Sequence, residues 1–269
     1  MKNLAKKLLI APGSHVKLSA VDAGETHGVE KAQAEELFAE VRDRLSVLQY
    51  LLYAEGRRAL LVVLQGIDAA GKDGTIRHVM TGLNPQGVRV TSFKAPEGAE
   101  KRHDYLWRVH QSMPEWGQIG IFNRSHYEDV LIVRVHNLVP KTAWSRRYRQ
   151  INEFERMLAE NQVRVVKLLL YIDREEQARR FRERIEDETK NWKFSPDDLK
   201  EREHWDEYIE AYETVLRECN QEHAPWYLIP ANRKWFRNYA VAQILRDELE
   251  DMDLKFPKAA MDLSGIRFE

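Results

Sequence analysis

An α/β fold, a parallel five-stranded sheet flanked by helices, is the architecture that this 269-residue chain predicts. The first observation behind it is an alternation. Five short runs rich in Val, Ile, Leu and aromatic residues lie at about 59–65, 88–93, 119–122, 163–172 and 226–230, separated by stretches of helical apolar spacing. Strands that alternate with helices pair in parallel, with both sheet faces covered. The second is a junction. The run Ala59-Leu60-Leu61-Val62-Val63-Leu64 leads directly into Gly66-Ile67-Asp68-Ala69-Ala70-Gly71-Lys72-Asp73-Gly74-Thr75, a glycine-rich turn before a helix-compatible stretch. The third is composition: 43% hydrophobic residues, but no apolar run near the roughly 18 residues of a membrane helix.

Taken in order, residues 1–28 mix Gly, Pro and Ser without periodicity and predict an irregular arm on the surface. From 29 to 55 the spacing of Leu37, Val41, Leu45, Leu48, Leu51 and Leu52 is helical. After the first strand and its loop, a helix runs from Lys72 to about Gly82, and Asn84-Pro85-Gln86-Gly87 is turn chemistry before the second strand. Residues 98–113 predict a helix ahead of the third strand, and 141–160 another ahead of the fourth. A charged helix spans about 174–187, with Ala178, Phe181 and Ile185 as its inward stripe. The segment Asn191-Trp192-Lys193-Phe194-Ser195-Pro196 interrupts the helical pattern, and a long amphipathic helix follows at 197–221. After the fifth strand a last helix covers 233–252. There are no repeats or low-complexity tracts.

Net charge is −1, so no global field gathers polyanions, and any polyanion site must be local. The single Cys219 rules out an intramolecular disulfide framework and multi-cysteine metal sites, which fits a reducing cytoplasm. The N-terminus is too short in apolar residues for a signal peptide. The histidines show no metal-ligand pairing, and Arg146, Arg147 and Arg149 beside Trp144 and Tyr148 read as a helix surface with the aromatics inward, rather than an RNA-binding patch. Trp205, Tyr208 and Tyr212 have helical spacing and read as core or a subunit contact.

The chemistry concentrates at 66–75. Backbone N–H groups of such a loop surround a phosphate, the helix starting near Lys72 adds its positive dipole end, and the Lys72 ammonium reaches terminal phosphates. Gly66 and Gly71 let the chain curl, and a side chain there is expected to fill the anion's space. The usual pattern places Ser or Thr directly after the lysine as a magnesium ligand. Here that position is Asp73, and the nearest hydroxyl is Thr75. Asp68, a carboxylate beside a polyphosphate, needs a cation or a proton in transfer, so it is a candidate magnesium ligand or acceptor-orienting base. Its alternative is a turn cap.

The third strand runs into Asn123-Arg124-Ser125-His126-Tyr127-Glu128-Asp129. An acidic residue at this strand end commonly holds magnesium; Asn123 is a poorer ligand, and Glu128 or Asp129 could substitute. Arg124 is a natural phosphate clamp, its planar fork matching phosphate oxygens. Ser125 and Glu128 also fit a capped helix start. Segment 174–194 is rich in Arg and Lys, with Arg180 and Arg184 on one helix face. It reads equally as a mobile lid carrying arginines over a phosphate or as a salt-bridged surface helix.

Five ordered motifs carry a resemblance: Gly66-x-Asp68-x-x-Gly71-Lys72-x-Gly74-Thr75-Ile76, Phe93-Lys94-Ala95-Pro96, Asp104-Tyr105-Leu106-Trp107-Arg108, Phe122-Asn123-Arg124-Ser125-His126-Tyr127-Glu128-Asp129-Val130 and Trp192-Lys193-Phe194-Ser195. Over roughly 30–255 the chain closely resembles the polyphosphate kinase 2 family. The resemblance implies a single thymidylate-kinase-like P-loop kinase domain over 1–269 with a helical lid at about 174–217. It implies reversible, magnesium-dependent phosphoryl transfer (manganese as substitute) between inorganic polyphosphate and nucleotides, AMP to ADP and ADP to ATP, with guanine nucleotides as further acceptors. The family's loop aspartate falls on Asp68, its loop lysine on Lys72, its second-motif arginine on Arg124 and its lid arginines on Arg180 and Arg184. Much of the family has Asp at Asn123 and Trp at His126, and Asn-Arg-Ser-His-Tyr-Glu-Asp looks like the class III branch that accepts AMP and ADP. The expected path of polyphosphate is along Lys72, Lys94, Arg124, Arg180, Arg184 and Lys193, with its terminal phosphate in the loop 66–75 against Gly66, Ala69, Ala70, Gly71, Asp73, Gly74 and Thr75. The expected metal ligands are Asp68, Asn123 and Glu128. A cytoplasmic homo-oligomer with no nucleic-acid or membrane partner is expected. The competing readings are an ATP-dependent nucleoside monophosphate kinase and a catalytically silent nucleotide-binding P-loop protein.

Overall fold

The computed structural model describes residues 4–262, 264, 266 and 267. The first three residues of the expected arm, and 263, 265, 268 and 269, lie outside the described residues. Among the described residues five strands, β1 (Ala59–Gln65), β2 (Val88–Ser92), β3 (Ile119–Asn123), β4 (Val163–Tyr171) and β5 (Trp226–Pro230), form one sheet in the order β2-β3-β1-β4-β5. Every neighbouring pair is parallel. The expected α/β architecture is therefore the observed one.

The helices are α1 (Leu4–Leu8), α2 (Lys31–Glu55), α3 (Lys72–Val79), α4 (Trp107–Gln111) and α5 (Ile132–Val135). They continue with α6 (Lys141–Glu160), α7 (Arg174–Glu186), α8 (Pro196–Glu203), α9 (Trp205–Glu218) and α10 (Lys234–Asp251). Successive strand residues face opposite sides of the sheet. In β1, Leu60, Val62 and Leu64 enter a core shared with α2 and α10, while Ala59, Leu61 and Val63 enter a second core shared with α6 and α9. Every residue of β1 is buried, as the central strand of a doubly covered sheet must be.

Four expectations are corrected. The arm is not merely superficial: Leu4, Leu8 and Leu18 are buried, and the Ile10 N–H donates to the Trp226 carbonyl at the free edge of β5. The helix expected at 98–113 is a 3-10 turn at 98–102 and then α4. Asp104 accepts from the Leu106 N–H and makes the turn that separates them. The helix expected at 197–221 breaks at His204 into α8 and α9. On α7, Phe181 is inward, but Ile185 is exposed and the buried face is made by Gln177, Arg180 and Phe181.

Candidate active site

Strand register builds the site. Leu64 of β1 lies opposite Asn123 of β3, and Ser92 of β2 lies opposite Asn123 on its other side. The turn after β1, Arg124 after β3 and Lys94 after β2 therefore emerge side by side at the carboxyl edge of the sheet. In an open α/β sheet that edge is where ligands bind.

The loop between β1 and α3 holds its shape at some conformational cost. Ala69 (φ 64°) and Arg124 (φ 62°) both adopt left-handed backbone conformations that non-glycine residues rarely take. Gly66 is required because a Cβ there would lie 2.6 Å from the Leu170 carbonyl oxygen. At Gly71 the reason differs from the sequence-based one. A Cβ there would strike the guanidinium of Arg237, so protein, not an anion, occupies that space.

Lys72 is buried, with Nζ donating to the Gly66 carbonyl at 2.6 Å and to the Ile67 carbonyl at 3.3 Å. Burial, reinforced by the charge of Arg124, lowers its pKa to about 8. Asp68 and Arg124 form an ion pair at 2.6 Å. Burial pushes the Asp68 carboxyl up, but Lys72 and Arg124 together outweigh it and hold its pKa below the ordinary value. Asn123 Nδ2 donates to Asp73 at 2.7 Å, and Lys193 stands 4.0 Å from the same carboxylate. Thr75 Oγ1 donates to the Gly71 carbonyl, so its hydroxyl proton is engaged within α3.

These groups open into a channel of about 1030 Å³, lined by twelve Lys and Arg side chains against four Asp and Glu. Lys72, Lys94, Arg124, Arg180, Arg184 and Lys193 all line it, as do Asp68, Asp73 and Asn123. Arg180 is not an open phosphate hand. Its guanidinium donates to the carbonyls of Ala69, Ala70, Ala231 and Asn232 and pairs with Glu176 at 2.6 Å, so it braces the loop from α7. Arg184, one turn on, pairs with Asp198 of α8 at 3.2 Å.

Glu128 falls elsewhere. It lines a separate cavity of about 120 Å³, together with Trp205, Tyr208 and Tyr212. Asp68 and Arg124 line both spaces. Burial raises the Glu128 pKa. Asp129 pairs instead with Arg147 of α6 at 2.8 Å. Sequence reasoning missed the contributions of Lys31, Arg77, Lys234 and Arg237 to the channel. Arg237 had a signal: it stands in Phe236-Arg237-Asn238-Tyr239-Ala240-Val241-Ala242, a stretch too apolar for a solvated face.

Among the described residues no three His, Cys, Asp or Glu side chains gather into a metal cage. The donor set instead suits a hard cation shared with phosphate oxygens, which takes one or two protein carboxylates and keeps water. The Asp68 carboxylate, ionised and open to the channel, fits that requirement, with Asp73 beside it.

The polyphosphate kinase 2 (PPK2) family model matches residues 28–257. An AMP/ADP-polyphosphate phosphotransferase from Meiothermus ruber is 51% identical over 255 residues, which is 94% of this chain and 96% of that protein. An ADP-polyphosphate phosphotransferase from Rhodopseudomonas palustris is 46% identical over 240 residues, 85% of this chain and 83% of that one. The crystal structure of polyphosphate kinase 2 from Arthrobacter aurescens TC1 superimposes with a TM-score of 0.93 at 42% identity, covering 97% of this chain and 94% of that one.

Proposed function

The chain belongs to the polyphosphate kinase 2 family, and from that premise we propose that it transfers a phosphoryl group reversibly between inorganic polyphosphate and nucleotides, AMP to ADP and ADP to ATP. The observation that carries this reading is the channel. A mononucleotide kinase needs a pocket for one triphosphate, whereas twelve cationic side chains along about 1030 Å³ match a linear polyanion.

The chemistry is in-line displacement. The attacking oxygen belongs to the nucleotide's terminal phosphate, which is largely deprotonated at neutral pH because its second pKa is about 6. No general base is required, and catalysis becomes positioning plus charge neutralisation. Lys72 and the loop N–H groups hold the terminal phosphate of the donor chain. Arg124 clamps the group in flight, its fork oriented by Asp68 at 2.6 Å. Lys94, Arg184 and Lys193 bind the chain further along, and Arg180 keeps the loop in its binding shape. A magnesium ion (or manganese in its place) bound at Asp68 would neutralise charge between donor and acceptor. Asn123 supplies a neutral oxygen nearby, whereas Glu128, in the smaller cavity and with its pKa raised by burial, lies apart from the channel. The reading includes one domain whose segment 174–217 closes as a lid, and a homo-oligomer in the cytoplasm without nucleic-acid or membrane partners. No helix among the described residues is long and apolar enough to cross a membrane.

The test is to incubate the pure protein with AMP, ADP or GDP, long-chain polyphosphate and magnesium, and resolve the nucleotide products. ADP and then ATP are expected from AMP. Turnover with ATP as donor and none with polyphosphate would show a nucleoside monophosphate kinase instead. Tight nucleotide binding with no turnover from either donor would show a silent binding protein.

A further inference from the structure

Three cations are buried around the phosphate loop: Lys72, Arg180 and Arg237, the last only 3% exposed. Arg180 has Glu176 as its counter-ion. Arg237, on α10, has none: among the described residues no carboxylate lies within ion-pair distance of its guanidinium. Its acceptors are neutral, the Asn238 amide oxygen at 2.9 and 3.1 Å and the Ala70 carbonyl at 3.3 Å. A buried, uncompensated guanidinium is costly, and proteins ordinarily pair such groups.

The loop is shaped to admit this charge. A Cβ on Gly71 would strike the guanidinium, and one on Gly74 would lie 3.3 Å from Nη2. Gly74 sits inside α3, where glycine is a poor helix former, so the close approach of Arg237 supplies a reason for it. Arg237 also lines the channel. We propose that Arg237 is a further anion-binding residue, a charge held in reserve behind Gly71 and Gly74 whose counter-ion is the polyphosphate seated in the loop. This inference rests on the polyphosphate reading above. It is consistent with burial, and the neighbouring charge of Arg180, lowering the Arg237 pKa to about 9 in the ligand-free protein.

A group held for a ligand behaves unlike a brace. Removing it relieves the free protein and weakens the complex, whereas removing a brace weakens both. Thermal unfolding is measured with and without inorganic tripolyphosphate, and KM for polyphosphate is determined, for wild type, Arg237→Met and Asn238→Asp. Asn238→Asp places a carboxylate on the atoms that already contact the guanidinium and so supplies the missing counter-ion at nearly constant shape. The expected result is that both variants unfold, without ligand, at or above the wild-type temperature. Both lose most of the tripolyphosphate-induced rise, and KM increases by about tenfold or more, the scale of one charge-assisted contact. If Arg237→Met does not fold, Asn238→Asp alone decides. The inference is overturned if Asn238→Asp keeps the wild-type KM and ligand-induced rise, or if it lowers the ligand-free unfolding temperature. If tripolyphosphate leaves even the wild type unmoved and polyphosphate is not turned over, the polyphosphate reading itself has failed.

Discussion

Two groups of buried charge sit on opposite sides of β1 and are built on contrary principles. Beneath α6, Lys167 of β4 donates to Glu155 at 2.5 Å, to the Tyr127 hydroxyl at 2.9 Å and to the Cys219 carbonyl at 2.6 Å. Tyr127 and His126 complete the set on the other Glu155 oxygen. All three donors of the lysine are used, and the Glu155 pKa ends below its usual value because Lys167 and His126 outweigh burial. Around the phosphate loop, Lys72 and Arg237 are nearly as deeply buried but meet only neutral acceptors, and both have lowered pKa values. The first set is closed in charge, with Lys167 paired to Glu155 although His126 Nδ1 is left without a hydrogen-bond partner, and it supports the fold beside the strand end from which Arg124 projects. The second is open: among the described residues no carboxylate lies within ion-pair distance of either cation, and on the reading proposed above polyphosphate supplies the missing charge.

The largest effect should come from opening the closed set. Glu155→Ala leaves the Lys167 ammonium without its counter-ion in a dry core, which costs about 3–5 kcal/mol of stability. Denaturant unfolding measures it. The pair Glu155→Met with Lys167→Met should recover much of that loss, because two apolar groups of similar volume can replace a buried ion pair nearly neutrally. If the single variant unfolds like wild type, the closed set is not a structural element.

Next in size, Lys72→Ala and Asp68→Ala should each lower kcat by at least about a hundredfold, the scale of one lost transition-state contact. Lys72→Ala should do so without a matching loss of stability, since it removes a charge that burial disfavours. Near-wild-type turnover in either variant would end its assigned role.

The contrast also explains what was legible in the sequence. The five strands and the loop were visible because hydrophobic period and glycine-lysine punctuation are local signals. The closed set was hidden because its partners, Glu155 and Lys167, come from separate elements. Yet Lys167 stands at the same strand phase as Val163, Val165 and Leu169, which face the α6 core, and a lysine there demands a carboxylate. Arg237 was passed over because a cation on a helix reads as solvated face; the apolar stretch around it was the contrary signal, and α10's burial among α2, α3 and β5 makes that signal plain. Arg180 was found, but its duty was misread: charge pattern cannot distinguish an arginine that meets phosphate from one that holds four carbonyls.

A pH profile sharpens the picture further. Below about pH 8 Lys72 carries its charge, and as pH rises through its lowered pKa the free enzyme loses a phosphate-binding cation. kcat/KM for polyphosphate should then fall toward tenfold per pH unit. kcat at saturation should hold to higher pH, because a bound polyanion pulls the pKa back up. Linkage gives the opposite sign for stability. Between about 8 and 10.5 the unfolded chain binds more protons at this lysine than the native state, so its contribution to stability rises with pH, and Lys72→Met should remove that rise. A kcat/KM that stays flat between pH 7 and 9 would place Lys72's titration outside that window.

The smallest effect lies where the two principles meet, at the contact between α7 and α8. Arg184 lines the channel but is held by Asp198 at 3.2 Å, with both side chains partly exposed. Such a pair is worth no more than about 1 kcal/mol, roughly a factor of five in binding. Asp198→Asn should free Arg184 for the polyanion and lower KM for polyphosphate by about twofold to fivefold. Arg184→Ala should raise KM by a similar factor with little change in unfolding temperature. Arg180→Ala is the control: losing the brace to Ala69, Ala70, Ala231 and Asn232 should lower the unfolding temperature. If Asp198→Asn and Arg184→Ala shift KM in the same direction, Asp198 is not competing with substrate for Arg184, and the α7–α8 contact belongs with the closed set rather than the open one.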